Sequence, residues 1–155
     1  MTDDVAATID HAAITRLLAA YADAITRHDW PALADQFLPD AVVSVDLVTR
    51  PAIEVVGPQA FGEFVEQAIA RFDFFEFVVL NAHVDLWPGG DRDAATARVF
   101  MCELRRLRGE VDRSDIYGIY RDDYARTPAG WRFARRRYQS LGRWPGGEVF
   151  PLPAD

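Results

Sequence analysis

Two stretches of the chain gather side chains that can move protons: "YADAITRHDW", residues 21–30, and "VVLNAHVDLW", residues 78–87. In the second, strict strand alternation places Val79, Asn81, His83 and Asp85 on one face and Leu80, Ala82, Val84 and Leu86 on the other. A neutral imidazole in an apolar cavity is a general base suited to neutral pH, and a nearby carboxamide can hold a substrate oxygen. His83 is therefore the candidate catalytic residue and Asn81 a candidate substrate-binding one. The plainer alternative is that this face meets solvent or another subunit and His83 only hydrogen-bonds there. In the first stretch, the Tyr21 hydroxyl could donate at a pocket floor, although a buried tyrosine usually does no more than satisfy that hydroxyl. His28 reads as a helix C-terminal cap, Asp29 as the N-cap of a following helix and His11 as a solvated first-turn residue.

A third cluster lies further on. "SDIYGIYRDDY" presents Asp115 and Tyr117 on one face and Tyr120 and Asp122 on the other, which makes Tyr120 another candidate for positioning a substrate oxygen. Either acid could partner His83. Pairing with Arg132, Arg135, Arg136 or Arg137 of "RFARRR" is the better fate, because opposite charges on neighbouring strands attract. One of these arginines could instead turn inward and bind a carboxylate through its planar fork.

Other chemistries are poorly supplied. The three histidines, at 11, 28 and 83, lack metal-ligand spacing and Cys102 has no partner cysteine, so no metal site is expected. No G-x-S-x-G, Walker A or strand-linked G-x-G-x-x-G occurs, and no cofactor is expected. The chain has no lysine, so Schiff-base chemistry and a P-loop lysine are excluded. Cys102, in the apolar run "RVFMCEL", reads as core filler in a reducing compartment. A formal charge of -7 argues against nucleic acid or an anionic membrane as partner. The acidic N-terminus has no signal-peptide apolar run and no segment is long enough to span a bilayer, so the expected location is cytoplasmic.

The positioning elements follow from periodicity. From Asp10, taken as an N-cap, the residues Ile14, Leu17, Leu18, Tyr21 and Ile25 form one helical stripe. "HDWPALADQFL" predicts a short second helix, "AVVSVDLV" and "AIEVV" two strands, and Phe61, Phe64, Val65, Ala68, Ile69 and Phe72 a third helix. Four strands follow, at about 74–87, 94–107, 114–124 and 131–141, with linkers too short for crossover helices. The whole predicts one α+β domain over 1–155, in the order α-α-β-β-α-β-β-β-β. A curved, mostly antiparallel sheet packed by three helices encloses a conical pocket. Residues 1–9 are expected to be flexible and 142–155 to form a proline-rich strap or loose end. Val99 and Met101, read as outer-face residues in need of cover, point to a homodimer or trimer.

The strings "AAITRLLAAYADAITRHDWPALADQFLPDAVVSVD", "GPQAFGEFV", "LNAHVDL", "AATARVFM", "GIYRDDYAR" and "GWRFARRR", over residues 10–141, resemble the SnoaL-like branch of the NTF2-like superfamily. That branch includes polyketide cyclases and scytalone dehydratase. The resemblance implies a cone-shaped fold and, in catalytic members, an aspartate–histidine acid/base dyad inside the cone. Here Thr26 falls at the aspartate position and Phe77 at the histidine position. Two positions where scytalone-type dehydratases present tyrosines fall on Ile25 and Val45. Thr26, Val45 and Phe77 are accordingly expected to line the pocket without carrying a proton. Two functions are expected: a cofactor-independent cyclase, dehydratase or isomerase for a hydrophobic substrate such as a polyketide, steroid or terpenoid, or a non-catalytic ligand-binding or scaffold module.

Overall fold

The computed structural model describes residues 2–154. Helix α1 spans Asp3–Arg27 and is followed by a 3-10 helix, Trp30–Asp35. Strands β1 (Phe37–Asp46) and β2 (Ile53–Val56) lead to helix α2 (Pro58–Ile69). Strands β3 (Phe72–Leu86), β4 (Ala94–Leu107), β5 (Ser114–Thr127) and β6 (Gly130–Trp144) form the meander, and β7 (Glu148–Val149) follows. The sheet order is β2-β1-β6-β5-β4-β3, with β7 beside β6; only β1 and β6 run parallel. This is the α+β cone that the periodicity predicts, with the second helix tightened to 3-10 geometry around Pro31.

The interior is built on rings. Tyr21 of α1 sits with its ring centroid between 5.3 and 6.4 Å from those of Phe37, Phe61, Phe77, Tyr120 and Phe133. One helical residue thus ties together β1, α2, β3, β5 and β6. Each such aromatic pair contributes about 0.5–1.5 kcal/mol beyond its buried area. Among these rings lies an ion pair fully removed from water: Arg136 donates from Nε and Nη2 to the two oxygens of Asp122 at 2.8 and 3.0 Å, and the Tyr124 hydroxyl donates to Asp122 at 2.9 Å.

Several expectations are corrected. Residues 2–9, expected to be flexible, are helical from Asp3 (Met1 lies outside the described residues). Asp3 and Asp4 favour that N-terminus electrostatically, while Val5 and Ile9 stay exposed, so the apolar stripe begins later than the helix does. Asp10 is consequently no cap. It is a buried carboxylate that accepts from Arg126 Nη1 and Nη2, Trp87 Nε1 and Trp131 Nε1 at 2.6 to 3.1 Å, and so ties α1 to the sheet. Asp29 makes no side-chain capping bond, whereas His28 does occupy the C-cap in a left-handed conformation, stacked on Trp30. Val99 and Met101 are wholly buried in the central core, so the oligomer expectation loses the residues it rested on. The C-terminal strap is an extended segment lying along β5 and β6: Phe150 N–H donates to Leu141, Gln139 to the Pro151 carbonyl and Arg121 to the Ala154 carbonyl.

Candidate functional site

Helix α2 stands off from the sheet at one end of the cone, leaving a cavity of about 440 Å³. That lies in the usual range for small-molecule sites, roughly 300–1,000 Å³. Tyr21, Ile25, Phe77 and Tyr120 form its buried end; Phe61, Phe64, Val65, Ala68 and Ile69 of α2 form one wall. Val45, Ile116, Tyr138, Glu103 and Arg105 form the sheet wall, and Leu47, Thr49, Arg50, Arg71, Phe72 and Arg143 the more open side. Gly118 on β5 makes this shape possible, since any Cβ there would run into the Tyr138 ring.

One carboxylate lines this cavity. Glu103 follows Ala97, Val99 and Met101 along the inner face of β4, so alternation carries an apolar stripe directly into a glutamate and then Arg105. Burial raises the Glu103 carboxyl above its ordinary range, and Arg105, 3.7 Å away, offsets only part of that. A carboxyl raised in this way can exchange a proton nearer neutral pH, the property a general acid or base requires. Three phenols accompany it. Burial raises Tyr21 and Tyr120, and pushes Tyr138 up to about 12, with Glu103 adding to the Tyr138 effect. All three stay protonated at neutral pH and can donate hydrogen bonds to a ligand oxygen; Tyr138 lies 3.2 Å from Ser140 Oγ. Among the described residues no group of three or more His, Cys, Asp or Glu is placed to hold a metal ion.

The family model for the SnoaL-like domain matches residues 6–137. The chain belongs to the SnoaL-like family. An uncharacterized protein of Mycobacterium tuberculosis is 29% identical over 133 residues, covering 85% of this chain and 86% of the relative. Among solved structures, the hexachlorocyclohexane dehydrochlorinase LinA-type3 of Novosphingobium barchaimii superposes with TM-score 0.78 at 19% identity, covering 97% of this chain and all (100%) of that one. An NTF2-like protein with a cystatin-like fold from Novosphingobium aromaticivorans gives 0.71 at 23%, covering 89% and 86%. At these identities the two structures establish the shared fold.

In this SnoaL-like chain the two positions assigned to the family's dyad do come together. Thr26 Oγ1 accepts the Phe77 backbone N–H at 3.0 Å and lies 3.5 Å from the Phe77 carbonyl. Neither side chain can carry a proton, and Thr26 itself does not line the cavity. Tyr21, Val45, Phe77 and Tyr120 line it.

Asn81 and His83 do not. The pairing of β3 with β4 shifts between Val79 and Asn81, opposite Met101 and Phe100, so Leu80 is an extra residue and the faces exchange. Phe75, Phe77 and Val79 point inward before the bulge, and Ala82, Val84 and Leu86 after it. His83 is thereby turned to the outer face, its side chain 60% exposed and its Nε2 3.1 Å from Asp85. The expected placement of His83 and Asn81 in the pocket is corrected on that ground. The predicted pairing of Asp122 with a β6 arginine is found, and the inward arginine is Arg136. Cys102 is buried, and burial pushes its thiol up, away from reactivity. Sequence reasoning passed over Glu103, although the alternation Val99-Met101-Glu103 marked an acid on an apolar face.

Proposed function

We propose that the cone binds a small, largely apolar molecule and performs cofactor-independent acid/base chemistry of the cyclase, dehydratase or isomerase type. Glu103 takes the proton-carrying role that the absent dyad fills in catalytic relatives. The observation that carries this reading is the Glu103 carboxyl, which is the cavity's sole acid among the described residues and is raised by burial among aromatic walls. Tyr120 and Tyr138 share the cavity with Glu103 and would hold a substrate oxygen as charge develops on it. Tyr21 and Phe77 set the depth of the site, and Val45 its side wall.

A substrate-free test uses 5-nitrobenzisoxazole, whose ring opens to a cyanophenolate when a base removes the C3 proton and the N–O bond breaks. A buried carboxylate base accelerates this, and the absence of lysine removes the usual competing amine. The expected rate climbs with pH as Glu103 ionises, through a midpoint above that of an ordinary glutamate. Glu103→Gln should lower it by at least roughly tenfold, the modest end of general-base contributions. Equal rates in the two proteins would remove Glu103 as the base.

A second reading, a ligand-binding module without turnover, is favoured by the Thr26–Phe77 contact, which fills the dyad positions with groups unable to exchange a proton. It gains the field if Glu103→Gln has no effect on rate while apolar compounds still bind and are recovered unchanged.

A further inference from the structure

Four guanidinium groups, of Arg50, Arg71, Arg105 and Arg143, line a cavity that holds one carboxylate. The whole chain carries a formal charge of -7, so the sign is locally reversed. Arg143 is already engaged, with Glu148 at 3.4 Å and the Leu47 carbonyl at 2.6 Å. Arg71 and Arg105 both lie against the Phe72 ring, their guanidinium carbons 5.1 and 4.8 Å from its centroid.

Arg105 is the unusual member. Its 3.7 Å separation from Glu103 exceeds hydrogen-bonding distance, and its Nε–H is buried without an acceptor among the described residues. A buried donor left unmatched is destabilising, the more so in a charged group. Burial is the main influence disfavouring the Arg105 charge, and Arg71 and Arg143 add like-charge repulsion. An oxyanion in the cavity would counter that repulsion by neutralising the cluster.

Building on the reading of this cavity as a small-molecule site, we propose that its ligand is an amphipathic monocarboxylate. The ligand's ring-bearing body lies between Phe61, Phe64 and Phe77, and its carboxylate sits on the Arg105 guanidinium. A planar fork matches a carboxylate edge to edge, which a hydroxyl or an amide does not. A monoanion fits better than a phosphate, because Glu103 stands beside the same guanidinium and repels a second negative charge.

The test is calorimetric titration of the full chain with 2-naphthylacetate and with its neutral isostere 2-naphthylacetamide. The acid should bind about tenfold tighter or better. Arg105→Gln should erase that preference while leaving amide binding in place, and Arg135→Gln, at an exposed position on β6, should leave the preference intact. Should Arg105→Gln fail to fold, Arg71→Gln and the wild-type pair decide: the acid's advantage must shrink in the former and exist in the latter. Equal affinities for acid and amide, a preference that survives Arg105→Gln, or no binding of either probe at millimolar concentration overturns the proposal. Tenfold tighter binding of 2-naphthyl phosphate overturns the choice of a monocarboxylate. None of these readouts uses turnover, so a silent Glu103 in the ring-opening assay leaves this inference standing, and its failure leaves Glu103 standing.

Discussion

A glutamate raised by burial leaves a mark on stability as well as on reactivity. Because the folded Glu103 holds its proton more tightly than the unfolded chain does, its contribution is complete below the ordinary carboxylate range. It is lost as pH rises through the elevated folded value. Glu103→Gln, which cannot ionise, should therefore melt at the wild-type temperature near pH 4 and above it at pH 8. Thermal unfolding at the two pH values checks this, and an equal difference at both would show that Glu103 is not desolvated. In the Asp122–Arg136 pair burial likewise raises the Asp122 carboxyl, but Arg136 opposes that shift directly and Asp122 in turn holds the Arg136 proton. The Arg136 guanidinium lies 4.2, 3.9 and 4.3 Å from the ring centroids of Tyr21, Tyr120 and Phe133. Removing one partner strands the other's charge, so Asp122→Asn or Arg136→Met should each cost about 3–5 kcal/mol in urea unfolding. The double variant Asp122→Asn with Arg136→Met should cost much less than the sum, because the stranded charge is gone.

Between α1 and the sheet, the decisive contact is Asp10, which no local pattern distinguishes from a helix cap. Arg126 above all holds its carboxyl below the ordinary range, against the opposing influence of burial, and the indoles of Trp131 and Trp87 assist. Its contribution is therefore present above the ordinary carboxylate range and lost as pH falls through the depressed folded value. Asp10→Ala should cost about 3 kcal/mol at pH 7, because two indole N–H groups and a guanidinium lose their acceptor. Chemical denaturation measures it, and the difference from wild type should narrow in acid. The elements themselves were legible: β4 begins and ends where alternation and turn residues put it, and the apolar stripe of α1 is the buried one. What alternation cannot reveal is an inserted residue. Leu80 in β3 turns His83 outward, and Ala134 in β6 is likewise extra, with Asp123 opposite Arg135 and Tyr124 opposite Phe133, so that Arg136 rather than Arg135 faces inward. The candidate site was legible at Tyr120, but Glu103 was passed over although β4 pairs with β5 without a shift. The site was misread where a bulge intervened.

At the scale of the whole molecule, the cone is closely packed at one end and opens into the cavity at the other. Rings and the buried ion pair fill the end near Phe133, while the cavity lies beneath α2. A void lined by apolar groups forfeits contacts that a guest or a larger side chain can restore. Val45 marks the place to test this: it lines the cavity on β1. Val45→Phe should hold or raise the melting temperature of the ligand-free protein, since filling a cavity commonly adds about 0.5–2 kcal/mol. In the wild type, a naphthyl probe at a hundred times its dissociation constant should add about 2.7 kcal/mol by mass action. For a domain of this length that is a rise of roughly 5–11 °C. In Val45→Phe the ring occupies the guest's space, and most of that rise should vanish while the starting temperature does not fall. A rise preserved in full would place the bound molecule outside the cone and remove the common ground of both functional readings.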